Sequence, residues 1–148
     1  MERVRLDKHY LKIDNNVFDM NNIAVIEIGQ EFDSNTGMYR LRIFQPNSNH
    51  EDIEGTHTWF EEHAQSNFNE IKKVLRDNPA FVSFEKSKIV NLSLVKDIQY
   101  CENLDKTYTK ICFENLSFKC GKNYTEAFVK LRERFNEYIQ NIMCFNKC

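Results

Sequence analysis

The sequence is poor in what nucleotide- or metal-dependent enzymes need. It has four glycines in 148 residues, too few to build a Gly-rich phosphate loop around. Its four histidines, His9, His50, His57 and His63, make no usual ligand spacing with one another or with a cysteine pair. Neither a Ser-His-Asp nor a Cys-His arrangement is evident along the chain. No apolar run approaches the roughly 18 residues of a membrane span, and the first residues lack the apolar core of a secretory signal. The expectation is a cytoplasmic protein that is not an enzyme, with no catalytic residue, no metal site and no cofactor. The five cysteines (Cys101, Cys112, Cys120, Cys144 and Cys148) are odd in number and confined to the second half. That argues for reduced thiols rather than a disulfide framework.

What is present is ordinary soluble composition, 41% apolar and 28% charged. The length fits one domain, or two small lobes that share a core. Charge is unevenly divided. Residues 1–78 hold 9 Lys/Arg against 14 Asp/Glu, a net −5, while residues 79–148 hold 11 against 8, a net +3. Only the second half is suited to a polyanion.

The chain also repeats itself. Residues 15–28 align with residues 87–100 at an offset of 72 positions. Apolar residues meet apolar ones at Val17/Ile89, Phe18/Val90, Met20/Leu92, Ile23/Val95, Ile26/Ile98 and Ile28/Tyr100. Such self-similarity sets the architecture before any motif does. Leu11 to Ile13, Val17 to Met20, Ile23 to Ile28 and Tyr39 to Phe44 read as short strands, with Tyr39, Leu41 and Ile43 on one face. Gln45 to Gly55 reads as a polar loop. Thr58 with Glu61 has the capping-box spacing of a helix start. Phe60, Ala64, Phe68, Ile71 and Leu75 continue at helical spacing, and Pro79 ends the segment. The second half repeats the order. Thr109, Ile111 and Phe113 match Tyr39, Leu41 and Ile43, and Asn123 caps a last helix striped by Phe128, Leu131, Phe135, Tyr138 and Ile142. The predicted class is α+β: one compact domain, 1–148, of two tandem antiparallel strand-rich units each closed by a helix. The units are an acidic repeat, 1–78, and a basic repeat, 79–148. A pseudo-two-fold arrangement is expected, with each helix on one face of sheet.

The junction Phe81-Val82-Ser83-Phe84-Glu85-Lys86-Ser87-Lys88-Ile89-Val90-Asn91, with Val95 and Ile98 after it, resembles the middle of the LytTR DNA-binding domain of bacterial regulators. Ile23, Ile26 and Glu27 fill the place of that family's preceding strand, and the helix ending at Leu75 that of its short helix. Phe118 to Tyr124 stands where the family leads into its terminal helix. The resemblance spans roughly Asn21 to Phe135. It implies a mostly β stand-alone regulator that reads the major groove with loop side chains. Ser83 and Glu85 depart from the family pattern, where Arg and His or Ser stand, and Gly121-Lys122 replaces a Ser-Arg pair. Lysine holds phosphate as a point charge but lacks the bidentate fork suited to guanine.

Three functional readings follow. Duplex DNA is one partner: Lys86, Lys88, Lys119 and Lys122 would hold phosphates, and Asn103 or Asn123 would touch base edges. A second is a small protein-binding inhibitor or adaptor of the kind mobile elements carry, with Glu51, Asp52, Glu54, Glu61 and Glu62 entering a basic groove. A third is single-strand binding on an aromatic platform, for which Tyr108 beside Lys106 and Lys110 is the better ring because Tyr39 shares a face with Leu41 and Ile43. The last helix packs on its own sheet by default, with a homodimer as the other use of its stripe.

Overall fold

The structure is a computed structural model and describes residues 3–30, 39–46, 57–60, 62–103, 106–114, 117–120 and 125–147. It is α+β, mostly antiparallel sheet with two helices. Among the described residues eleven strands and two helices follow in order: β1 (Val4–Asp7), β2 (Tyr10–Ile13), β3 (Asn16–Asp19), β4 (Val25–Gln30), β5 (Tyr39–Phe44), β6 (His57–Phe60), α1 (Ala64–Leu75), β7 (Phe81–Phe84), β8 (Lys88–Asn91), β9 (Asp97–Asn103), β10 (Lys106–Cys112), β11 (Ser117–Cys120) and α2 (Thr125–Lys147). Neither helix is long and apolar enough, over the described residues, to cross a membrane.

The strands form three sheets, β1-β2-β3, β6-β5-β4-β8-β7 and β11-β10-β9. The central sheet is buried on both faces, so its strands lose the usual alternation: Val25, Ile26, Ile43, Phe44, Ile89 and Val90 are all buried. One face, with Ile26, Ile43 and Ile89, packs on Leu11 and Ile13 of the first sheet and on Phe68 and Ile71 of α1. The other, with Val25, Phe44 and Val90, packs on Ile98 and Ile111 of the third sheet and on Leu131 of α2. Fully burying side chains of this size stabilises by roughly 1.5–3 kcal/mol each.

The repeat is visible bond for bond. β3 and β8 each run into a one-turn 3-10 helix, Met20–Asn22 and Leu92–Leu94. Asp19 Oδ1 accepts the Asn21 N–H at 3.0 Å, and Asn91 Oδ1 accepts the Ser93 N–H at 3.1 Å. Met20 N–H donates to His9 O at 2.9 Å, and Leu92 N–H to Ala80 O at 2.6 Å. The Ala24 N–H to Phe44 O bond (2.8 Å) returns as Lys96 N–H to Cys112 O (2.7 Å).

The two copies interlock in one direction. β4 of the first pairs with β8 of the second through Val25↔Val90, Ile26↔Ile89 and Glu27↔Lys88. A closed pseudo-two-fold would pair β9 with β3 in the same way. Instead β3 ends the first sheet and β9 ends the third. The expected symmetry is therefore not closed, and a physical reason lies at Ile98, which corresponds to Ile26. Its N–H is taken by Asp97 Oδ1 at 2.9 Å and its carbonyl by Arg132 Nη1 of α2 at 2.8 Å. Side chains thus occupy the groups that a pairing strand would use, a recognised way to blunt an edge. Replacing both Asp97 and Arg132 by alanine is expected to give concentration-dependent head-to-tail association in sedimentation velocity, with Ile98 facing Val17 of the next copy. Adding Val17→Pro, which removes the donor on β3, should restore the monomer. A double variant that stays monomeric at its highest soluble concentration would disprove this role for the pair.

The start of the first helix differs from the capping-box reading. Thr58 and Phe60 lie in β6, paired with Ile43 and Leu41. The helix begins at Ala64, after His63 in the left-handed region at φ 58° and without a side-chain cap. The residues 57–60 include Thr, Trp and Phe, which favour a pleated strand, and an available edge on β5 outweighed the cap spacing. On α2 the stripe packs as expected along most of its length: Leu131 is buried, and Phe128, Phe135 and Tyr138 are half-buried against the second core. Ile142 is exposed.

Candidate nucleic-acid interface

The third sheet is a meander in which β10 pairs with both neighbours. Its register sets Ile111 between Ile98 and Phe118, and Lys110 between Gln99 and Lys119. Side chains alternate across the pleat, so these two rows lie on opposite faces. The inner face is the core face. There Phe118 meets Phe44 edge-on at 4.9 Å between ring centroids, and Tyr100 lies 5.4 Å from Phe128 of α2. Arg132 sits over the same Phe128 ring at 5.8 Å, and its bond to the Ile98 carbonyl ties α2 to β9.

The outer face carries Cys101, Tyr108, Lys110, Cys112 and Lys119. Lys110 and Lys119 stand directly opposite each other across the ladder. Their row is completed by Gln99, whose Nε2 donates to Asp97 Oδ2 at 2.9 Å. Among the described residues neither lysine is paired with a carboxylate. Like charges directly opposite on a sheet are destabilising, so the fold alone gains nothing from this pair. Lys119 Nζ lies 5.3 Å from the centroid of the Tyr108 ring, a cation–π contact that leaves its charge facing outward. The Tyr108 phenol is raised above the usual tyrosine value, first by desolvation and then by the charge and hydrogen bond of the neighbouring Cys101. It remains a neutral O–H donor through the physiological range, which is the form that can donate to a phosphate oxygen.

The residues nominated from sequence separate into groups. Lys119 belongs to this face and is exposed. Lys86 is exposed on the β7–β8 turn, where Glu85 and Lys86 take φ 56° and 61°. That turn lies at the Ile28 end of β4, since the Ile28 N–H bonds Ser87 O. Phe118, the neighbour of Lys119, meets Phe44 edge-on, and Phe44 pairs with Val25 at the other end. Lys86 and Lys119 are thus not brought into one strip. Lys88 is corrected outright as a phosphate holder. Its side chain is 12% exposed and sits 2.8 Å from Glu85 Oε2 and 3.8 Å from Glu27 Oε2. A cation held between two carboxylates in a half-buried site is spent on the fold. Asn103 pairs with Lys106 through the backbone at the end of the β9–β10 ladder. Lys122 and Asn123 lie outside the described residues, as do Glu51, Asp52, Glu54 and Glu61. Glu62 is exposed and reaches only His63, at 3.2 Å.

Sequence reading passed over Lys110 as a phosphate holder, although its place between Thr109 and Ile111 was the available signal: the neighbours of a buried alternating pair point outward. It also passed over four cations on the helices, Lys72, Arg76, Lys130 and Arg134, which the fold gathers around β7. Their i,i+4 spacing within each helix was the signal there.

No family model matches the chain, and no curated protein or solved structure shows significant similarity to it.

Proposed function

We propose that the chain is a LytTR-like DNA-binding regulator that contacts duplex phosphates with the outer face of β9–β11. The observation that carries this reading is the directly opposed pair Lys110 and Lys119, which has no carboxylate partner among the described residues, beside the Tyr108 ring. A cost to the fold of that kind is offset when an anion bridges the two ammonium groups. Lys122 and Asn123 follow β11 in sequence and extend the same basic run. The order of elements also supports the reading: a helix after β6, the Phe81–Asn91 hairpin, a meander, then a terminal helix. That is the order the LytTR resemblance implies.

Few cations meet the duplex on this face, so affinity is modest and strongly salt-dependent. Two to four phosphate contacts correspond to a log–log salt slope of about −2 to −4. Fluorescence anisotropy with a labelled duplex at about 20 mM salt should show saturable binding that weakens along that slope as salt rises. No binding at that salt concentration would refute the proposal.

A further inference from the structure

We propose that the groove beside β7 binds an extended acidic peptide as an added strand. β7 is an edge strand of the central sheet, and the groove along it has a volume of ≈ 550 Å³. One wall is α1, with Lys72 and Arg76, and the other is α2, with Lys130 and Arg134. Val82 and Leu131 belong to the core cluster under one wall, Phe81 and Leu75 to the cluster under the other. Hence β7 shows its edge, not a face, to the space between the helices.

The backbone at that edge has the right polarity for strand addition. Leu92 N–H donates to Ala80 O, which turns the even-numbered residues of β7 toward β8. In an antiparallel ladder the intervening residue then directs its amide and carbonyl the other way. That residue is Ser83, which is exposed. An incoming strand would pair with Ser83, and its alternate side chains would meet the α1 and α2 walls in turn.

Charge identifies the occupant. Two cations stand on each wall. Among the described residues Lys130 is engaged only by the neighbouring exposed Glu126 at 3.2 Å, and Arg76 by exposed Asp77 at 4.0 Å; pairs of this kind are worth little and exchange readily. Lys72 donates to Lys86 O at 3.2 Å, which leaves its charge uncompensated. Among the described residues the one acidic residue lining the groove is Glu85, and it is committed to Lys88 through Oε2. Its Oε1 is buried and has no hydrogen-bond partner among the described residues. A single-stranded nucleic acid would match the cations but needs exposed rings to stack on. Phe81 and Phe84, the aromatic liners, are buried. Acidic side chains on an extended backbone satisfy both the walls and the edge.

The test uses the full chain and an end-blocked fluorescent peptide of about eight residues that alternates Glu and Val. Anisotropy should report saturable binding, and the matching Lys–Val peptide should not bind. The double variant Arg76→Glu/Arg134→Glu should weaken binding by at least about tenfold. Ser83→Pro, which removes the outward N–H at a position where an edge strand tolerates proline, should do the same. Both variants should keep the wild-type far-UV circular dichroism. Lys110→Glu/Lys119→Glu should bind the peptide as wild type does, which separates this groove from the nucleic-acid face. Any of four results would overturn the proposal: no binding of the Glu–Val peptide up to about 1 mM, equal binding of the Lys–Val peptide, unchanged affinity in a folded groove variant, or displacement of the peptide by a short oligothymidine.

Discussion

Replacing Asn91 by alanine is expected to cost about 3–4 kcal/mol of stability. Asn91 is 1% exposed and joins the two repeats. Its Nδ2 donates to Met20 O at 3.2 Å and Ile23 O at 2.8 Å, in the first copy. Its Oδ1 accepts the Ser93 N–H at 3.1 Å and the Ser93 hydroxyl at 2.6 Å, in its own. Alanine would strand the Ile23 carbonyl, at about 1–3 kcal/mol before relaxation, would leave Met20 O with only the Ile23 N–H at 3.3 Å among the described residues, and would remove a cap. Asn91→Asp is the sharper test. It keeps the size and the cap but loses both donors, and it faces a carboxylate toward two carbonyls. It should cost as much as alanine or more. The first repeat offers the control, because Asp19 stands at the equivalent position. Its cap to Asn21 lies in an exposed setting, so Asp19→Asn should change stability by less than about 0.5 kcal/mol. Urea unfolding of the three variants measures all of this. A loss below about 1 kcal/mol for Asn91→Ala would mean that this side chain does not hold the repeats together.

The second large effect separates function from fold. Lys119→Glu is expected to stabilise the protein slightly, by about 0.2–1 kcal/mol, because it places opposite charges across the β10–β11 ladder. The same change should weaken duplex binding, since a phosphate contact becomes a repulsion. Carrying both Lys110→Glu and Lys119→Glu should lower duplex affinity at low salt by about 100-fold or more and flatten the salt slope by about 2. A residue kept for structure would move stability and binding together. Here they should move apart, and thermal unfolding beside anisotropy shows which holds. Duplex binding that survives both changes would remove this face from the site.

Much of the fold was legible because the repeat copies its apolar pattern. Met20/Leu92 and Ile26/Ile98 fall at equivalent places in the two copies, and the buried set Thr109, Ile111 and Phe113 follows the alternation read from the sequence. Three things were not legible, each for a physical reason. β1 is four residues long with one buried side chain, Val4, so its alternation has almost nothing to register. The β6 strand and the true start of α1 depended on an edge offered by β5, a tertiary opportunity that outranks a local cap signal. The one-way interlock depended on Arg132, 34 residues beyond the Ile98 carbonyl that it caps. No local pattern encodes a contact of that range.

Where the nominated lysines lie in the fold was legible only in part, and the reason is the same. Lys119 could be placed from alternation alone. Lys88 could not, because the carboxylate from Glu27 reaches it across the β4–β8 pairing that joins the two repeats. Glu85, which departs from the LytTR pattern, is spent mainly on holding Lys88 at 2.8 Å. The basic character of the second half is thus a sum of separate groups: an outer face on β9–β11, a groove beside β7, and a lysine given up to the core.

Those groups are told apart by one experiment, amide chemical-shift mapping of the labelled full chain titrated with a short duplex at low salt. The expected result is a set of perturbations centred on Tyr108, Lys110 and Lys119, with the amides of Phe81 to Phe84 unmoved. Perturbations centred on Ser83 and Arg134, or none at any duplex concentration, would contradict the assignment of nucleic-acid binding to the β9–β11 face.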